Sequence, residues 1–149
     1  DQEIEKIVTE LFGDNTATQA QLQTNDKGGK AIYLAKPTAE LLSKTISELV
    51  PAPDVIFPDT PKITSKLGYF SYLHKIHNGK DIYFFANSSD NIIDTEVLLR
   101  GKLNLENWNP NTGAVSKLEN VSYVKKNGQI YTRCTLNLQS VESIFWISK

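Results

Sequence analysis

Cysteine is nearly missing from this sequence: Cys134 stands alone among 149 residues. A lone thiol excludes an internal disulfide and any cysteine-rich zinc site, and it is too little to assign a redox compartment. Long hydrophobic runs are missing too. The purely apolar stretches extend only a few residues, as in Val55-Ile56-Phe57, too short for a membrane-spanning helix. No charge dominates either. The net charge is −1 and the lysines are scattered, so neither nucleic acid nor a membrane surface is an expected partner. The beginning carries no basic region followed by an apolar core, the mark of a signal peptide. It opens as DQEIEKIVTELFG, which reads as the middle of a helix, so we expect a piece excised from a longer polypeptide.

What is present has the composition of a globular protein, with 40% hydrophobic and 22% charged residues. The first third reads as a short α/β segment. Ile4, Ile7, Val8, Leu11 and Phe12 keep the spacing of an amphipathic helix, with Gly13 as its C-terminal cap. The polar stretch TATQAQLQTNDKGG reads as loop, and KAIYLA (Lys30 to Ala35) as a buried strand. Pro37 suits a first helical turn, after which Leu41, Leu42, Thr45, Ile46 and Leu49 form one helical face. PAPDVIFPDTP holds four of the six prolines and reads as an extended connector. A domain boundary is expected between Pro58 and Ser65, giving an α/β segment over 1–62 and a second domain over 63–149.

From Leu67 onward the apolar period becomes two. Asn-Gly occurs twice, in HNGK and KNGQ, and suits the type I′ turn of a tight hairpin. Ile93, Thr95, Val97 and Leu99 alternate with Asp94, Glu96 and Leu98. Ile130, Thr132, Cys134, Leu136 and Leu138 alternate with Gln129, Tyr131, Arg133 and Asn137. Each run is a strand with one wet face. DIYFFAN and SIFWIS are apolar on both faces and read as central strands. About eight short strands result, the pattern of an antiparallel β-sandwich, galactose-binding-like or immunoglobulin-like. The fold class is therefore α+β overall.

Few residues carry recognisable chemistry. Gly28-Gly29-Lys30 precedes a strand rather than opening a helix, the wrong order for a phosphate loop, so it reads as a turn. His74 and His77, three apart on a strand, fall on opposite faces and cannot chelate one metal together. Asp94 and Glu96 share a strand face at a spacing suited to paired carboxylates, but that face is the wet one, where solvated acids are the ordinary finding. Ser88 and Ser89 lack a nucleophile-elbow pattern. No cofactor or metal is expected. The aromatics are more informative. Trp108, Tyr83 and Tyr131 are candidate sugar contacts, since a C–H face of a sugar stacks on an aromatic ring. Core packing is the commoner fate of such residues. Trp108 opens the run WNPNTG, where Asn109, Pro110 and Gly113 fit a hairpin turn without any ligand. It breaks the parity of Leu103 and Leu105, which points it to the opposite face unless a bulge intervenes. A plug closing the sandwich is nonetheless the favoured reading of Trp108.

HKIHNGKDIYFFANSSD, EVLLRGK, ENWNPNTGAV and SVESIFWIS together resemble the C-terminal β-sandwich of glycoside hydrolase family 106, the α-L-rhamnosidase-like enzymes. The matching residues are Asp81 to Phe84 with Asn87, Trp108 to Gly113, and Ser143 with Phe145. GKAIYLA through PAPDVIF is similar to the last strand–helix unit of the amidotransferase-like domain that precedes this tail. The resemblance implies catalytic carboxylates in a barrel upstream; no residue here matches them, so none is assigned a catalytic role. It implies a periplasmic or extracellular setting, the upstream domains of the same polypeptide as partners, and a structural or substrate-flanking role. A carbohydrate-binding module is the alternative. The orphaned α/β segment is expected to expose apolar surface and to favour a dimer through Ile4 to Phe12 or Leu41 to Leu49.

Overall fold

An amphipathic helix needs a partner for its apolar stripe, and an alternating strand needs another sheet; the chain meets these needs unequally in its two units. A computed structural model describes residues 1–13, 20–64 and 66–149. They form two units, Asp1–Val50 and Pro51–Lys149.

In the first unit, helix α1 spans Gln2–Phe12 and ends at Gly13, whose φ of 80° puts it in the left-handed region and whose N–H donates to Thr9 O at 2.9 Å. Strands β1 (Gln21–Thr24) and β2 (Lys30–Tyr33) pair as an antiparallel hairpin, Gln21 opposite Tyr33 and Thr24 opposite Lys30. The turn between them is built on Asn25, whose Oδ1 accepts from Lys27 N at 3.1 Å and Gly29 N at 2.7 Å. This corrects the expectation of a loop throughout TATQAQLQTNDKGG. A polar edge strand carries no hydrophobic period, so only its partner and its turn reveal it; Thr16 to Gln19 lie outside the described residues. The Gly28-Gly29-Lys30 run is indeed a turn. Helix α2 spans Ala39–Leu49, with the Thr38 hydroxyl accepting from Leu41 N at 3.1 Å. Pro37 therefore stands just before the cap rather than in the first turn. Neither helix has a buried residue.

The second unit is the β-sandwich. Its strands are β3 (Val55–Ile56), β4 (Phe70–His77), β5 (Lys80–Asn87), β6 (Ile93–Arg100), β7 (Leu105–Trp108), β8 (Val115–Lys117), β9 (Ser122–Lys126), β10 (Gln129–Leu138) and β11 (Glu142–Ser148). One sheet has the order β3-β6-β10-β9, the other β4-β5-β11-β7-β8, and every pairing is antiparallel. Both Asn-Gly pairs close tight hairpins with positive φ at each residue: 51° and 75° at Asn78 and Gly79, 49° and 78° at Asn127 and Gly128. The strands read as apolar on both faces, β5 and β11, lie side by side within the larger sheet.

The unit begins earlier than the expected interval of Pro58 to Ser65 (Ser65 itself lies outside the described residues). Val55 and Ile56 pair with Leu99 and Leu98 as an edge strand. Around them the chain is fastened to the sheet: Arg100 N donates to Asp54 O at 2.9 Å, Arg100 Nη1 to Ala52 O at 3.2 Å, and Asn127 Nδ2 to Pro51 O at 3.2 Å. Prolines confined this segment to extended backbone, which is also what an edge strand needs.

The core lies between the sheets. Tyr83, Phe85 and Trp146 come from the larger sheet, and Ile93, Val97, Leu99, Cys134, Leu136 and Leu138 from the smaller. Phe85 and Trp146 meet nearly edge to face, centroids 5.0 Å apart. Leu136→Ala is expected to cost about 2–5 kcal/mol in urea unfolding, from lost burial and the cavity left behind. Ile130→Ala, on the same face but half-exposed at the start of the strand, should cost below about 1 kcal/mol; equal losses would contradict the difference in burial. Burial also pushes the Cys134 thiol up from an ordinary 9.0 to about 12. The unfolded chain sheds this proton near pH 9 while the folded chain keeps it, so stability falls as pH rises through that window. Urea melts at about pH 8 and pH 10 should show a smaller drop for Cys134→Ala than for the parent.

Candidate functional site

The outer face of the larger sheet carries a line of apolar side chains, one from each strand. Register places Leu73 opposite Phe84, Phe84 opposite Phe145, Phe145 opposite Trp108, and Trp108 opposite Val115. Directly opposed residues on neighbouring strands touch, so the five form a continuous row. Phe84 and Phe145 confirm it, with ring centroids 4.6 Å apart. The row lies on the side away from the core, and Leu73, Trp108 and Val115 are exposed.

Trp108 is 42% exposed. This corrects the plug reading. The side chain at 105 points in (Leu105 is 2% exposed), and three steps along the strand reverse the side, so Trp108 points out. Its indole is held in place: Nε1 donates to Glu106 Oε2 at 3.2 Å, and Glu106 Oε1 pairs with Lys149 Nζ at 2.8 Å. The Lys149 bond, and after it the Trp108 bond, holds the Glu106 carboxyl below the usual carboxylate range. The following turn is self-sufficient. Asn109 Oδ1 accepts from Asn111 N at 2.9 Å and Thr112 N at 3.1 Å, Asn109 N donates to Ala114 O at 2.9 Å, and Gly113 has φ 72°.

The other two candidate sugar contacts are buried. Tyr83 is 1% exposed and faces the core, so no ring face is offered to a ligand. Desolvation, foremost, raises its phenol well above the usual range. Tyr131 occupies the outward face of β10, yet it is fully buried because the connector crosses it, its hydroxyl donating to Pro53 O at 3.2 Å. Asp94 and Glu96 lie on the outward face of β6, where Glu96 Oε2 pairs with Arg133 Nε at 3.2 Å. They lie on an open strand face, not as two acids in a cleft.

Two clusters escaped the sequence reading. His74 faces inward on β4, stacked on Tyr83 with centroids 4.3 Å apart, while His77 lies on the opposite face. The His74 ring sits between two carboxylates, Nδ1 at 3.1 Å from Asp54 Oδ2 and Nε2 at 2.9 Å from Asp81 Oδ1; Asp54 also pairs with Arg100. This cluster ties the connector to both sheets, and its members are too far apart in sequence to suggest one another. The second is a polar cleft of about 350 Å³, lined in part by Asn104, Lys117, Glu119, Asn120 and Tyr123. Two Asn-x-Ser tripeptides, Asn87-Ser88-Ser89 and Asn120-Val121-Ser122, have the form of N-glycan acceptors; Asn87 is buried, with Nδ2 donating to Asn91 O at 2.7 Å and Gln139 O at 2.8 Å, so its amide is committed to the fold.

No family model matches the chain, and no curated protein sequence does. Among solved structures it is similar to a rhamnosidase from Novosphingobium sp. PP1Y, with a TM-score of 0.61 and 20% identity. The match covers 98% of this chain and 12% of that rhamnosidase, so the chain spans about an eighth of the other's length. At this identity the likeness establishes the shared fold.

Proposed function

We propose that the chain is a non-catalytic accessory part of a larger glycoside hydrolase of the α-L-rhamnosidase kind, with family 106 as the specific assignment. One observation carries the reading: almost the whole chain, both units included, has the fold of one short stretch of a rhamnosidase. The run Trp108 to Gly113, whose sequence suggested that family, is the turn beside the outer aromatic row. In this reading the acids that cleave substrate belong to another part of the enzyme, and the sandwich supports them or flanks the substrate. The α/β segment expected over residues 1–62 is then the end of an amidotransferase-like domain, with Asp1–Val50 as its compact part.

The helices supply the second element. Ile4, Ile7 and Leu11 on α1, with Leu41, Leu42 and Ile46 on α2, are exposed. Such stripes are covered in a stable protein, and upstream domains of the same polypeptide are the partners the reading provides.

Incubation of the chain with an aryl α-L-rhamnoside should release no rhamnose. Release that survives Trp108→Ala but vanishes with Glu96→Gln would overturn the accessory role and move catalysis to β6. In the isolated chain the uncovered helices should associate with a second copy. Sedimentation should therefore report a concentration-dependent dimer that Ile7→Glu or Ile46→Glu weakens, and a strict monomer at high concentration would contradict it.

A further inference from the structure

The apolar row on the larger sheet is bordered on one side by a concentration of positive charge. In the next row of the register, Lys75 stands opposite Ile82 and Lys117 opposite Glu106. One row further, Lys80 lies at the start of β5 and Lys149 follows the end of β11. Among the described residues, Glu106 is the one acid at an outward position of these five strands, and Lys149 already pairs with it. Lys80 also acts on the Glu106 carboxyl. Within the five strands this face sets Lys75, Lys80 and Lys117 against Glu106, and just beyond the strand ends Lys149 and Glu119 add one charge of each sign, in a chain whose overall charge is −1.

A surface of this kind matches a ligand with two properties at once. Flat C–H faces suit the exposed indole and the phenyl rings beside it, and anionic groups at one edge suit the lysines. Neighbouring strands are about 4.8 Å apart, so Phe84 to Trp108 covers about 10 Å, a length for an extended oligosaccharide rather than a single ring. The indole is pinned through its N–H, which leaves its ring face as the contact surface and limits the ordering needed on binding.

We propose that the outer face of the larger sheet, centred on Trp108 and bordered by Lys75, Lys80, Lys117 and Lys149, binds a uronate-bearing polysaccharide chain. Sugar rings lie along the Phe84–Phe145–Trp108 row with their carboxylates toward the lysines. This deepens the accessory-part reading by naming a substrate class for the sandwich to flank.

Calorimetry and ¹H–¹⁵N NMR titration of the whole chain with tetragalacturonate test it, with neutral galactotetraose as control. Tetragalacturonate should bind and move the Trp108 indole N–H signal, leaving that of buried Trp146 in place. Trp108→Ala should weaken binding about tenfold, and Trp108→Phe by less. Joint Lys75→Glu and Lys117→Glu substitution should also weaken it, and added salt should lower affinity, as it does for any exposed charge pairing. Equal affinity for galactotetraose would overturn the anionic assignment. Failure of both sugars to bind, or shifts confined to the Tyr123 cleft, would overturn the site. A concentration-dependent shift of Trp108 without sugar would hand the face to a second copy and overturn it too. None of these failures touches the accessory-part reading, whose test is rhamnoside cleavage.

Discussion

Face-to-face packing of Tyr83, Phe85 and Trp146 against Val97, Leu99 and Leu136 is the contact on which the other features depend. Strand side chains alternate sides, so committing these residues inward commits their neighbours outward. Phe84 and Phe145 are outside because Phe85 and Trp146 are inside. The aromatic row is thus a consequence of the core register, and a one-residue slip would abolish both together.

The smaller sheet meets the same constraint differently. Its outward face holds Leu98 and Tyr131, both buried, which exposure to water would disfavour. Residues 51–56 answer this by running along the sheet as cover and edge strand, with Pro53 O accepting the Tyr131 hydroxyl and Asp54 joining His74 and Arg100. What reads as a linker is therefore part of the sandwich. The first unit has no comparable solution: its helices carry apolar stripes and bury no residue. That contrast is what the proposed accessory role accounts for, since it supplies cover for the helices of the first unit.

Much of the sandwich was legible because its signals are local. Asn78-Gly79 and Asn127-Gly128 announce their turns, and eight strands follow Leu67 as the alternation implied. The polar strand Gln21–Thr24 was not legible, since glutamines give no hydrophobic period. Of the three aromatics weighed as sugar contacts, Trp108 alone keeps an open face. Parity had indicated its side correctly, while the preference of tryptophan for cores argued the other way. For Tyr131 parity indicated the outside, and a segment almost eighty positions away covered it.

By itself the sequence determined the class of fold, the two Asn-Gly hairpins, the central strands and, along the alternating strands, the side of the sheet on which each residue stands. These follow from backbone sterics and a two-residue period, which act between neighbours. Tertiary structure alone decided what lies over each face: the connector on Tyr131, the two carboxylates about His74, Lys149 on Glu106, and four lysines beside an aromatic row. Those depend on which strands are adjacent and on which segments return across them. Pairings between residues tens of positions apart leave no period in the chain to read.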